Sequence, residues 1–205
     1  MLPDLHRRPL TFSLRTFLLL FAVAGICLGV VSQRAREQRR AVAALQRVFA
    51  EIEYECDTES RQTSQRSALD PSVDYRHSVV QVILDAPAVN DETLVHLRAF
   101  PKLRCLMMIE GTKVTSDGLG ELRDLRHLKQ LILSIDTIDD RGLETIAQLS
   151  QLEDLWLHNL RITDAGLQRL SALKKLRYLW IDAAEVTEEG VTRLQLALPH
   201  CKIDY

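Results

Sequence analysis

Apolar and polar positions along this chain recur with a fixed period over its last two thirds. The segment Leu152-Glu153-Asp154-Leu155-Trp156-Leu157 places Leu at one position, three residues on and two further on. The same spacing holds Val79, Val82 and Leu84, then Leu103, Leu106 and Met108, then Leu128, Leu131 and Leu133, then Leu176, Leu179 and Ile181. The period of two across the last pair predicts a short strand with one face buried. After a turn come Val89, Val114, Ile138, Ile162 and Val186, each followed by Asn90, Thr115, Asp139, Thr163 or Thr187. A short oxygen-bearing side chain there is a helix N-cap, which meets the free N–H groups of the first turn. The predicted helix then buries Leu94, Leu119, Leu143, Leu167 or Val191, and three residues later Leu97, Leu122, Ile146, Leu170 or Leu194. Gly118, Gly142, Gly166 and Gly190 recur in the first turn. Glycine is a poor helix former, so its return points to close approach between neighbouring helices.

Ahead of the repeats the pattern changes twice. Residues 1–15 form a basic N-terminal segment with Arg7, Arg8 and Arg15 against Asp4. Residues 16–31 carry no charge and at ~1.5 Å per residue would span about 24 Å, slightly under a bilayer core. A cleaved signal peptide and a retained single-pass anchor compete for this run. Ser32-Gln33-Arg34 offers no small-x-small cleavage site, which favours a transmembrane anchor. Its orientation stays open: Arg34, Arg36, Arg39, Arg40 and Arg47 would hold the repeats on the cytoplasmic side, whereas a basic N-terminus before an apolar run is also how an export signal looks.

Residues 32–77 read as a neck and N-terminal cap. Val42, Leu45, Phe49 and Ile52 make a helical stripe, too short for a coiled-coil seam and suited to packing on the end of the repeats. Residues 51–56 alternate polar and apolar as a half-buried strand does. Residues 57–75 are rich in Ser, Thr, Asp, Gln and Arg and predict an exposed loop.

Here the sequence resembles the leucine-rich repeat family. The resemblance covers residues 78–205 and rests on five units that keep six or more apolar slots in register. The unit is most similar to the subtype of about 24 residues with a helical outer side. It occurs in F-box substrate receptors and in short membrane-tethered bacterial repeat proteins, and the layout here resembles the latter. The resemblance implies an α/β fold, a right-handed β-α superhelix or solenoid, with an N-terminal transmembrane helix ahead of it. One slot departs: where the family often has Asn or Cys, this chain has Pro87, Asp136, Leu160 and Ala184, with Gly111 or Thr112 in the longer repeat. No Asn ladder runs along that turn, which leaves the regularity of the rungs open. Residues 198–203 resemble a closing strand, with either Cys201 or Ile203 in the inward slot.

Composition narrows the chemistry. A hydrophobic content of 46% supports a packed core, and a net charge of −2 offers no basic field for nucleic acid. The four cysteines contain no CxxC pair. Cys105 and Cys201 fall four rungs apart, roughly 19 Å at the usual strand spacing and too far for a disulfide. No motif of a hydrolase, metalloprotease, P-loop or dinucleotide site is present. Asp85 and Asp182 share a slot, but Ile109, Ser134 and His158 between them exclude a calcium ladder. His158 and Asp182 fall on neighbouring rungs, where two solvated polar residues are the plain reading and a general-base pair the sharp one. We expect no cofactor, no small-molecule substrate and no enzymatic activity.

The informative row lies between the two buried positions of each strand and points into the concave face: Ile83, Met107, Ile132, Trp156 and Trp180. Tyr178 and His158 flank it. Aromatic, Met and aliphatic side chains ringed by polar ones suit a protein partner. The sequence thus predicts a membrane-anchored module that binds a protein through Ile83, Met107, Ile132, Trp156, His158, Tyr178 and Trp180. The alternatives are a self-assembling scaffold, or an adaptor similar to F-box leucine-rich repeat receptors.

Overall fold

The computed structural model describes residues 14–47, 51–54, 79–109, 112–183 and 185–205, without the side chains of residues 14–28, 31, 51, 53 and 54. The expected exposed loop, the N-terminal thirteen residues and Phe49 of the neck stripe lie outside the described residues.

Seven strands form one sheet in strict chain order: β1 (Glu51–Tyr54), β2 (Val79–Leu84), β3 (Cys105–Met108), β4 (Gln130–Ser134), β5 (Asp154–His158), β6 (Tyr178–Asp182) and β7 (Lys202–Asp204). Strands β2 to β7 are parallel, and the sequence period is the register: Leu106 faces Leu131, Leu131 faces Leu155, and Leu155 faces Leu179. Such order arises when each unit leans only on its neighbours. The returning segments are short helices: α2 (Asp91–Leu94) continued as a 3-10 turn, a 3-10 helix at Gly118–Asp124, α3 (Asp140–Ile146), α4 (Asp164–Arg169) and α5 (Glu188–Ala197). Every predicted inward position in the strands is buried, as are the helix positions Leu94, Leu97, Leu119, Leu122, Leu143, Ile146, Leu167, Leu170, Val191 and Leu194. All belong to one core.

β1 pairs antiparallel with β2, Ile52 opposite Val82, and Ile52 joins the core. Ala41, Val42 and Leu45, in the last part of helix α1 (Leu14–Arg47), are buried in that same core. At the other end β7 settles the register that the sequence leaves open. Ile203 pairs with Leu179 and packs against the core, while Cys201, one residue before the strand, is itself buried. Cys105 and Cys201 are thiols, not a disulfide. Burial, and then the charge of Asp154, push the Cys201 thiol up to about 11.

The expected membrane span falls on the N-terminal half of α1. Among the described residues no helix is long and apolar enough to cross a membrane. The side chains of residues 16–28 and 31, nearly all of that span, lie outside the described residues.

Four N-caps form where the sequence places them. Asn90 accepts from the Thr93 N–H, Asp139 from Arg141, Thr163 from Ala165 and Thr187 from Gly190. In the longer repeat the 3-10 helix begins three residues after Thr115, whose hydroxyl still accepts from the Gly118 N–H at 3.4 Å.

The regularity that the missing Asn ladder leaves open is supplied elsewhere. After the strands the turn is filled by apolar residues, Ala86, Ile135 and Leu160, all buried. The slot Pro87 and Asp136 is exposed. In the third such turn Asn159 takes up a left-handed conformation, φ 56°, which an Asn tolerates, and Leu160 therefore fills the space one residue later than Ala86 and Ile135 do. The polar ladder runs instead along the helix N-termini. Asp91 accepts from the Thr115 N–H at 2.8 Å and from its hydroxyl at 2.7 Å. Asp140 does the same to Thr163, at 2.8 and 2.7 Å, and Asp164 to Thr187, at 2.9 and 2.6 Å. Each carboxylate lies in the first turn of its own helix, where the helix dipole favours negative charge. Asp140 and Asp164 also bind the N-cap of the next helix, and Asp91 binds Thr115 in the corresponding slot. The glycines are part of this device. A Cβ on Gly118, Gly166 or Gly190 would lie about 2 Å from the carboxylate oxygen of Asp91, Asp140 or Asp164. The close approach that the glycines announce is of helix to side chain.

One rung is inverted. Ser116 stands in the slot of the acids and Asp139 in the slot of the threonines. The Ser116 hydroxyl donates to the Asp139 carboxylate at 2.6 Å and accepts from the Asp139 N–H at 2.9 Å. An acid still meets a hydroxyl, with the two sides exchanged. The bond from Ser116 holds the Asp139 carboxyl below its ordinary pKa, and the bond from Thr187 does so for Asp164.

Candidate partner-binding face

Strand alternation leaves every second side chain on the sheet face away from the helices. On that face the register aligns Ile83 with Met107, Met107 with Ile132, Ile132 with Trp156, and Trp156 with Trp180. In backbone register, Glu51 of β1 pairs with Ile83, and at the other end Asp204 of β7 continues the row beside Trp180. All five apolar members are half-buried, as are Tyr178 and His158. The seven residues singled out from the sequence therefore share one surface.

The rings of Trp156, His158, Tyr178 and Trp180 cover one another in part. The ring of Trp156 lies 5.1 Å from that of Tyr178 and 5.8 Å from that of Trp180, tilted by 53° and 39°. His158 lies 5.5 Å from Trp180. These are tilted contacts in the range that aromatic pairs favour. The cluster occupies β5 and β6, while Ile83, Met107 and Ile132 form an aliphatic stretch toward β2.

Polar groups frame the aromatic end. His158 Nδ1 is 2.7 Å from the Asp182 carboxylate, so the neighbouring rungs do bring this pair together. The His158 side chain is half-buried and that of Asp182 exposed, 42% and 58%, which suits a surface ion pair. The Tyr178 hydroxyl donates to Asp204 at 3.0 Å, and Lys202 Nζ donates to the same oxygen at 2.7 Å. Lys202 Nζ also sits 5.4 Å from the centre of the Tyr178 ring. Desolvation, then the bond to Asp204, raises the pKa of Tyr178, and the Lys202 bond lowers that of Asp204. This group escapes a sequence reading because it needs the register of β7. At the strand entrances, Lys129 pairs with Glu153 at 2.7 Å. Among the described residues no cluster of His, Cys, Asp and Glu is placed to hold a metal ion.

The parallel strands in chain order, the 24- or 25-residue period and the single core behind them decide the architecture. It is a leucine-rich repeat solenoid. No family model matches the chain, and no curated protein matches it. Among solved structures it is similar to a leucine-rich repeat protein of Leptospira interrogans, with 26% identity over 54% of this chain and 27% of that one, TM-score 0.42. It is also similar to an internalin of Listeria monocytogenes, with 18% identity over 54% of this chain and 36% of that one, TM-score 0.37. The chain thus spans about a quarter to a third of the length of these structures.

Proposed function

We propose that the solenoid is a protein-recognition module, held at a membrane by residues 16–31, and that it works by binding and not by catalysis. The observation that carries this reading is the aligned row Ile83, Met107, Ile132, Trp156 and Trp180, with Tyr178 and His158 beside it. Two indoles and a phenol on a rigid sheet present large, stiff area, and covering them releases water at little cost in chain entropy. The row lies outside the repeat core, so its side chains are dispensable for folding. The uncharged run 16–31 on helix α1 supports the anchor.

The test is crosslinking mass spectrometry on the full chain in its native membrane. Wild type should give crosslinks from the open sheet face to one other protein. Trp156→Ala/Trp180→Ala should weaken that association at least tenfold, since central aromatic residues of interfaces are worth ~1–2 kcal/mol or more each, with its thermal melting little changed. Crosslinks that survive in the double variant, or unfolding of that variant, would overturn the reading. Crosslinks only between copies of this chain would replace it with self-assembly.

The anchor has its own measurement. The full chain should stay in the membrane pellet through alkaline carbonate and move to the supernatant with detergent, whereas residues 33–205 should be extracted by carbonate alone. A mature protein that begins near Ser32 would convert the anchor into a cleaved signal.

A further inference from the structure

The recognition face is not uniform in charge, and its two ends make different demands on a partner. Beside Ile83, Met107 and Ile132 stand Gln81, Cys105 and Gln130 on one flank and Asp85, Ile109 and Ser134 on the other. That end carries one carboxylate in six flanking positions. The aromatic end is enclosed by carboxylates. Asp154 precedes Trp156 by two residues on β5 and pairs with Tyr178; Asp182 follows Trp180 by two on β6; Asp204 pairs with Trp180 from β7. Alternation puts all three on the face of the indoles. The only fixed positive charge among these flanking positions is Lys202, next to Asp204, while Asp182 shares its carboxylate with His158 Nδ1 at 2.7 Å.

From this arrangement, and resting on the proposed role in protein recognition, we infer that the β5–β7 end of the face receives an arginine or lysine side chain of the partner. The partner is then a protein segment that lays apolar side chains along β2–β4 and a basic one on the aromatic cluster. Aromatic faces attract cations through their ring quadrupole, most strongly for Trp. Carboxylates at the rim add long-range attraction and select against acidic segments. The chain performs the same recognition internally: Lys202 Nζ sits 5.4 Å from the Tyr178 ring centre and 2.7 Å from Asp204. Trp156 and Trp180 have the carboxylates and the rings of such a site. Three strands at ~4.8 Å span roughly 10 Å, room for one or two side chains.

Trp156 and Trp180 are the only two tryptophans of the chain, so intrinsic fluorescence reports on this site directly. The full chain in detergent is titrated with tetra-arginine amide, and in parallel with tetra-glutamate amide and tetra-serine amide. Tetra-arginine should change the emission saturably and lose affinity as salt rises, and the other two should not. Asp154→Asn/Asp182→Asn should weaken tetra-arginine binding at least fivefold. Trp180→Leu, which keeps every charge, should weaken it as well, read through Trp156. An equal response to tetra-serine, or unchanged affinity in either variant, overturns the inference. The two readings fail separately. Partner crosslinks lost in Trp156→Ala/Trp180→Ala but retained in Asp154→Asn/Asp182→Asn would leave protein recognition standing and remove the basic side chain from it.

Discussion

Leu155→Ala should destabilise the solenoid by ~2–5 kcal/mol, the usual cost of emptying a fully buried leucine site. Leu155 has no solvent exposure and is flanked in register by Leu131 and Leu179, which are equally buried. Neither neighbour can move into the space without leaving its own strand, so the cavity persists. Because each repeat leans only on its neighbours, the loss at the centre should loosen both halves of the array. Urea melts followed by circular dichroism measure the change. A midpoint equal to that of wild type would mean that Leu155 does not face the core.

Gly166→Ala should cost a further kind of stability, about 1–3 kcal/mol. The new methyl would sit 2.0 Å from Asp140 Oδ1 and 2.5 Å from its Cγ. The carboxylate must swing away and give up both bonds to Thr163. Hydrogen bonds to charged groups contribute ~1.5–3 kcal/mol when well placed, and this pair is half-buried. Against that loss stands the gain of ~1 kcal/mol from replacing a helical Gly by Ala. The same substitution made in an Asp140→Ala background meets no carboxylate, only the Cβ at 3.0 Å, so most of the cost should disappear. A double-mutant cycle tests this. Equal destabilisation in both backgrounds would show that Gly166 serves something other than the Asp140–Thr163 rung.

Much of this was legible in the residues. The positions 155, 157, 162, 167 and 170 declare strand, turn and helix because each slot recurs five times, and a side chain on the wrong face would be exposed five times over. The N-caps at Asn90, Asp139, Thr163 and Thr187 are short-range devices, and short-range chemistry is readable from spacing. The acid ladder was harder to see. It joins residues 23 or 24 apart, and its signal, Asp91, Asp140 and Asp164 in one slot ahead of the next repeat's Thr and Gly, is masked by the inverted Ser116–Asp139 rung. The turn filling was displaced by one residue because the left-handed Asn159 is a conformational event, invisible in hydropathy. On the open face, the alignment of Trp156 with Trp180 followed from the period. The Tyr178–Asp204–Lys202 group did not, because the closing strand falls outside the repeat.

The inverted rung bears on how such an array can grow or shrink by copying. Excising the unit that carries Thr163 and Asp164 would bring Asp140 against Thr187, an acid against a hydroxyl, and the splice would hold. Excising the unit that carries Thr115 and Ser116 would set Asp91 against Asp139, two carboxylates competing for one proton. Excising the unit that carries Asp139 and Asp140 would set Ser116 against Thr163, with no acid at the joint. The units look interchangeable in their leucines, yet the pairing of Ser116 with Asp139 keys two of them to each other, so that loss or duplication of whole units is tolerated toward the C-terminal side of that joint and resisted across it.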